Sequence, residues 1–255
     1  MTLVVTDAIV LHAFDYLESS RIIKLVTREA GVRSVLARGA RRSKRRFGAA
    51  LDLYAQGSAE LTTKVGRDLD TLTAFDVTRA RPQLAAQLSR FTGASAIAEL
   101  TIRFGRDAAD PGLFEAVMTS LDEIAVAPPE RARDVTLAGA WRVLSELGVA
   151  PTVDNCAECH AAIDPDSPAI FSHPAGGTVC ARCGHLARGG RTLPPSARAA
   201  LRDWLGGVPH PLGDPNDARA HQRLLREFLR EHLADDRPLR AFEVWEHDAW
   251  TGGAA

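Results

Sequence analysis

No apolar run in this 255-residue chain approaches the roughly 20 residues needed to cross a bilayer. Its opening residues, MTLVVTDAIVLHAFDY, lack a basic leading segment and reach Asp7 too early for a secretory signal, so the expected location is the cytoplasm and no membrane partner is expected. Cysteine is scarce, with four residues and none scattered, which speaks against a secreted disulfide framework. Net charge is nearly absent: 31 Lys and Arg against 32 Asp and Glu leave −1, so any polyanion site has to be local. There is no G-x-x-x-x-G-K-[ST] loop and no Gly-Lys dipeptide, which excludes a P-loop nucleotide triphosphatase. G-x-S-x-G, H-E-x-x-H and a strand-borne G-x-G-x-x-G are also missing. Asp164 and Asp166 stand close together, but Pro165 and Pro168 beside them explain the group as a turn. No catalytic residue is assigned, and the chain is expected not to be an enzyme.

The charge that is present is segregated. Residues 1–80 carry 13 Lys and Arg against 9 Asp and Glu, net +4, and the remaining 175 carry 18 against 23, net −5. The densest stretch is RGARRSKRRF, with six cations in the nine residues from Arg38 to Arg46 and no acid between Gly31 and Leu51. A charge run by itself is ordinarily a solvated loop. Here the cations Arg38, Arg41, Arg42, Lys44, Arg45 and Arg46 repel one another unless a polyanion compensates them, and Arg21, Lys24, Arg28 and Arg33 on the preceding hairpin extend the positive surface. Such a loop holds phosphates without reading bases, giving salt-sensitive and sequence-tolerant binding. Phe14, Tyr16, Phe47 and Tyr54 are near enough in sequence to offer stacking, and Phe47 is the one retained as a nucleic-acid-binding candidate.

Residues 2–78 read as five short strands, LVVTDAIVL, RIIKLVT, VRSVLA, SAELTTKV and LDTLTAF, separated by turn signals. Five strands in that length suggest a small closed barrel of the oligonucleotide-binding (OB) type. From Arg81-Pro82 the period becomes helical, with Leu84, Leu88, Phe91, Ser95, Ala98 and Ile102 on one expected face. Asp110-Pro111 and Asp214-Pro215 are N-cap signals. A third helix carries Leu137, Trp141, Leu144 and Leu147 up to Gly148, and a further helix covers about 195–205. The last segment, FEVWEHDAW, is expected as a short strand or tail. The fold class is thus α+β and multidomain: residues 1–80 an OB barrel, residues 81–150 and 192–242 a helical domain, and residues 151–191 an inserted zinc-binding segment.

Cys156-x-x-Cys159 and Cys180-x-x-Cys183 are separated by the 20 residues from His160 to Val179. Two such turns point four thiolates at one metal, the donor set of a closed structural Zn²⁺ site, with no position left for a catalytic water. Gly184 is expected in the left-handed conformation behind the second pair, and His160, His173 and His185 are expected at the surface.

The hairpin S-x-R-I-I-K-L-x-T-R-E-x-G, the loop A-R-G-A-R-R-S-K-R-R-F-G and the segment F-S-x-x-x-G-G-x-x-C-x-x-C, in that order, resemble the RecO family of bacterial recombination mediators from Thr6 to about Phe242. The resemblance implies binding of single- and double-stranded DNA, annealing of complementary strands, and cooperation with RecR to displace single-strand-binding protein, by way of its acidic C-terminal tail, so that RecA loads. It implies association with the nucleoid when on DNA, matches Arg38, Arg41, Arg42, Lys44, Arg45 and Arg46 to the family's basic loop, and matches the four cysteines to the zinc site of those members that have one. A tail pocket near Arg90, Arg103 or Arg142 is expected from cations on otherwise apolar helices. From the residues alone, an OB-fold RNA-binding protein with a zinc ribbon, a nucleic-acid-processing enzyme, and an adaptor gripping acidic tails stay open.

Overall fold

The computed structural model describes residues 2–40, 47, 51–63, 66, 69–233 and 237–251, with side chains to residue 247 in the last range. Strands β1 (Thr2–Tyr16), β2 (Ser20–Thr27), β3 (Gly31–Ala37), β4 (Gln56–Thr63) and β5 (Asp70–Arg79) close into a barrel in the order β1-β2-β3-β5-β4. Four of the five pairings are antiparallel. The fifth, between β3 and β5, is parallel and short, with Val35 opposite Asp70 and Leu36 opposite Thr71. Residues alternating at period two fill the interior, among them Ala8, Val10, Ile23, Leu25, Val35, Ala59, Leu61, Leu72 and Phe75.

β1 runs further than LVVTDAIVL because it serves two neighbours. Its first half pairs with β4 and its second half with β2. A bulge between Val10 and His12 changes its phase. Before the bulge, Ala8 and Val10 point into the barrel while Ile9 and Leu11 join the core of the helical body. After it, Ala13 packs on the barrel core, and His12, Phe14 and Tyr16 are exposed.

The helical body comprises α1 (Pro82–Ala85), α2 (Leu88–Phe104), α3 (Pro111–Val126), α4 (Ala132–Glu146), α5 (Pro195–Leu205), α6 (Pro215–His232) and α7 (Arg240–Thr251). Both N-cap aspartates act as read: the Asp110 carboxylate accepts from the Leu113 N–H at 2.9 Å and that of Asp214 from the Asn216 N–H at 2.8 Å. Two expectations need correction. Leu84 lies in the separate helix α1, and Leu88 and Phe91 are exposed, while α2 buries Thr92, Gly93, Ala94, Ala96, Ile97, Ala98, Leu100 and Thr101. This helix packs against α3, α4 and α7, so small residues on several sides matter more than a single stripe. FEVWEHDAW is helical in α7: Phe242 and Trp245, at i and i+3, are buried against each other with ring centroids 5.1 Å apart.

Residues 151–191 are not a detached module. Strands β6 (Ala169–Ser172), β7 (Gly177–Val179) and β8 (Arg191–Leu193) form a small sheet, and Phe171 packs with Phe228 and through it Trp141 in the helical core. Arg198 of α5 is fully buried and donates to the carbonyls of Ser167 and Asp164. Its charge is thereby compensated by two backbone dipoles, and the loop before β6 is fixed to the helices.

Candidate nucleic-acid face and metal centre

Register sorts the predicted cations into two sets. Opposed residues on paired strands share a face. Lys24 stands opposite His12 on β1 and Ser34 on β3, on the outward face, and its ammonium donates to the Ser34 hydroxyl at 2.5 Å. Arg38 follows the end of β3 and is exposed. Arg33 stands opposite the interior residue Leu25 and makes ion pairs with Asp70 at 3.5 Å and Asp107 at 3.9 Å. Burial pushes the Asp70 carboxyl up, against the pull of Arg33. Arg21 lies opposite Ala37 and pairs with Asp15 at 3.1 Å. Arg41, Arg42, Lys44, Arg45 and Arg46 lie outside the described residues.

Phe47 corrects its sequence reading. It is buried in the barrel core with Leu51, because an apolar ring next to an open barrel end gains about 2–3 kcal/mol by entering it. In the sequence, Arg38 at the end of β3 and the buried Phe47 bracket the cation-rich stretch. Tyr54 is also buried, its hydroxyl 2.8 Å from that of Ser95. Phe14 and Tyr16 are exposed, 41% each. His12, which the sequence reading passed over, joins them; the alternation in HAFDY was the available signal, hidden by the bulge.

Where barrel meets helices, acids and cations are matched. Arg28 sits 4.6 Å over the Phe114 ring, pairs with Glu115 at 2.5 Å and Asp7 at 3.6 Å, and is held above its usual pKa, first by the Glu115 hydrogen bond. Arg81 is buried and donates to Asp122 at 2.7 Å, the Tyr54 carbonyl at 2.9 Å and the Gln56 side chain at 2.9 Å. Gly31 has φ +70, and a Cβ there would lie 2.2 Å from the Ala108 carbonyl oxygen. That turn therefore admits only glycine.

Of the three helical arginines offered as alternatives for the rim of a tail pocket, two are taken up by contacts within the fold. Arg90 donates to the Ala127 carbonyl and Arg142 grips Glu123. Arg103 alone borders a cavity of about 430 Å³, which it shares with Phe104, Arg230, Leu233, Leu239 and Phe242.

The four cysteines do meet: their sulfurs all lie within 4.8 Å of one another. The Cys159 and Cys180 sulfurs are 3.8 Å apart, the edge of a tetrahedron with bonds of about 2.3 Å to a central zinc. Each pair forms a tight turn, with the His160 N–H on the Cys156 carbonyl and the Cys183 N–H on that of Cys180. The left-handed residue is His160, at φ +59, and Gly184 instead opens a short 3-10 turn. His160 and His185 are exposed as expected, whereas His173 is buried, its ring on Phe171 and its pKa lowered by that burial. Burial opposes ionisation of Cys156, yet N–H groups from Cys180, Cys159 and Glu158 prevail and bring its thiol to about 6. Burial and the neighbouring thiols push Cys183 to about 12. Four thiolates this close need a cation between them, so the donor set fits a soft divalent metal.

A closed five-stranded barrel of OB type on a helical body with a four-thiol centre defines the class of the protein. Comparison with known proteins is consistent with this build. The family described as Recombination protein O N terminal matches residues 1–81, and Recombination protein O C terminal matches residues 85–241. The DNA repair protein RecO of Anaeromyxobacter sp. (strain K) is 37% identical over 242 residues, covering 92% of this chain and 93% of the relative. That of Myxococcus xanthus is 33% identical over 232 residues, covering 89% and 91%, and that of Rubrobacter xylanophilus 30% over 240, covering 93% and 94%. The chain belongs to the RecO family of DNA repair proteins. Among the described residues no helix is long and apolar enough to cross a membrane.

Proposed function

We propose that the chain is a non-enzymatic recombination mediator of the cytoplasm and nucleoid. It binds single- and double-stranded DNA, anneals complementary strands, and with RecR helps displace single-strand-binding protein so that RecA loads. The division of labour follows the regions read from sequence: residues 1–80 contact DNA, residues 81–150 and 192–242 hold partner proteins, and residues 151–191 are scaffold. The observation that carries this reading is that both described residues bracketing the cation-rich stretch of the sequence belong to the barrel, Arg38 at the end of β3 and Phe47 in its core. In this reading Arg41, Arg42, Lys44, Arg45 and Arg46 neutralise phosphates of two strands at once and lower their mutual repulsion. Annealing by this means needs no nucleotide hydrolysis.

The acidic tail of single-strand-binding protein enters the cavity beside Arg103, whose lining combines Phe104, Leu239 and Phe242 with the cation Arg230, while Arg226 there is paired with Glu246 at 2.7 Å and Glu243 also borders the space. Cys156, Cys159, Cys180 and Cys183 hold one structural Zn²⁺, which supplies a cross-link and no open coordination site. Metal analysis should therefore return one zinc per chain, and Cys180→Ser should lose it and unfold more readily while keeping the salt dependence of DNA binding. Absence of zinc with four reactive thiols contradicts the assignment.

Annealing of complementary oligonucleotides precoated with single-strand-binding protein, followed without ATP, tests the whole reading. Wild type should anneal, and the protein with Arg41, Arg42, Arg45 and Arg46 changed to Ala should not. If neither anneals although both fold and bind the coating protein, the chain is an adaptor.

A further inference from the structure

We propose that His12, Phe14 and Tyr16 form a platform on which unpaired bases of single-stranded DNA stack. The inference rests on the DNA-binding reading above and adds to it a base-contacting site separate from the phosphate-contacting cations. Of the described Phe, Tyr and Trp side chains, only Phe14, Tyr16 and Phe91 are exposed, and His12 is exposed beside the first two. Phe14 and Tyr16 follow His12 at every second position of β1, past the bulge, and the His12 and Phe14 rings lie 5.9 Å apart. The three make one strip along the strand.

The registers define what surrounds the strip. His12 is opposite Lys24, Phe14 opposite Ile22 and Tyr16 opposite Ser20 on β2; Ile22 and Lys24 are opposite Leu36 and Ser34 on β3. This outward patch of three strands carries a cation and no carboxylate, while half-buried Ile22 and Leu36 give it an apolar floor. The matching of charges favours an occupant that is anionic along its backbone and flat and apolar in its side groups, which describes single-stranded DNA. The Tyr16 end of the strip adjoins the point where β3 leaves the sheet, since Arg21 is opposite Ala37. A strand laid from His12 to Tyr16 therefore arrives beside Arg38. Paired bases are already stacked and cannot use the strip, so the site favours single strands over duplex.

The test compares labelled oligo(dT) with an abasic oligomer of equal length, which has the same phosphates and no bases, by fluorescence anisotropy across a salt series. The wild-type chain should bind oligo(dT) at least about 10-fold more tightly than the abasic strand, since each stacked base contributes roughly a 5-fold factor or more. Phe14→Ala combined with Tyr16→Ala should abolish that preference while leaving abasic affinity and the salt slope unchanged, and Tyr16→Phe, which keeps the ring, should retain it. Equal wild-type affinity for both oligomers overturns the platform alone, and so does a double variant that loses affinity for both alike. Wild-type chain that binds neither oligomer overturns the DNA-binding reading and the platform with it. The wild-type comparison needs no variant to fold.

Discussion

The two sides of the barrel carry cations in opposite ways. Toward the helices and the barrel interior, Arg28, Arg33 and Arg81 each meet a carboxylate, and the Arg81 side chain is only 2% exposed. On the outward side, Lys24 meets a hydroxyl and Arg38 is exposed. A count of positive residues treats all five alike, yet the first three are matched by carboxylates within the fold and, among the described residues, the last two are not. What separates them is strand register and the acids supplied by other elements.

Arg81→Ala should cause the largest change. It leaves Asp122 short of one arginine and strands the Tyr54 carbonyl and the Gln56 side chain, so a loss of about 3–5 kcal/mol in unfolding free energy is expected from denaturant titration. A loss below about 1 kcal/mol shows that the seam does not depend on this residue. Arg33→Ala should cost about 1–3 kcal/mol at neutral pH by leaving Asp70 buried without its cation. Burial already raises the folded-state pKa of Asp70, so its ionised form is the disfavoured one in the folded chain. The penalty is therefore present above that raised pKa and fades as pH falls toward about 4. Unfolding measured at both pH values should show the deficit of the variant shrinking in acid, and a constant deficit breaks the assignment. Tyr54→Phe removes one hydrogen bond at the seam while the Ser95 hydroxyl keeps its bond to the Phe91 carbonyl. About 1 kcal/mol is expected, and no change in DNA affinity.

Local signals in the sequence were legible where local chemistry decides. The five strands, the aspartate caps at Asp110 and Asp214, and the meeting of Cys156, Cys159, Cys180 and Cys183 follow from spacing and turn chemistry within a few residues. The bulge at Val10 and His12 was hidden, because nothing in AIVLHAF marks the residue at which the phase changes. It decides which aromatics are open. The partners of Arg81 were equally hidden: Asp122 is 41 residues away, and pairing over that distance depends on how α3 docks. Phe47 and His173 were misplaced for one reason, that their neighbours in sequence are polar or glycine-rich while their neighbours in space are the barrel core and Phe171. α2 deceived by its small residues, which have no strong period but pack closely.

The salt dependence of single-stranded DNA affinity, measured together with unfolding stability for Lys24→Ala combined with Arg38→Ala and for Arg33→Ala, tests this division most directly. The outward pair should flatten the log–log salt slope by about 0.7 for each phosphate that is no longer neutralised and leave stability within about 0.5 kcal/mol of wild type. Arg33→Ala should lower stability and leave the slope unchanged. An Arg33→Ala slope as flat as that of the outward pair, or an outward pair with the wild-type slope, contradicts the account.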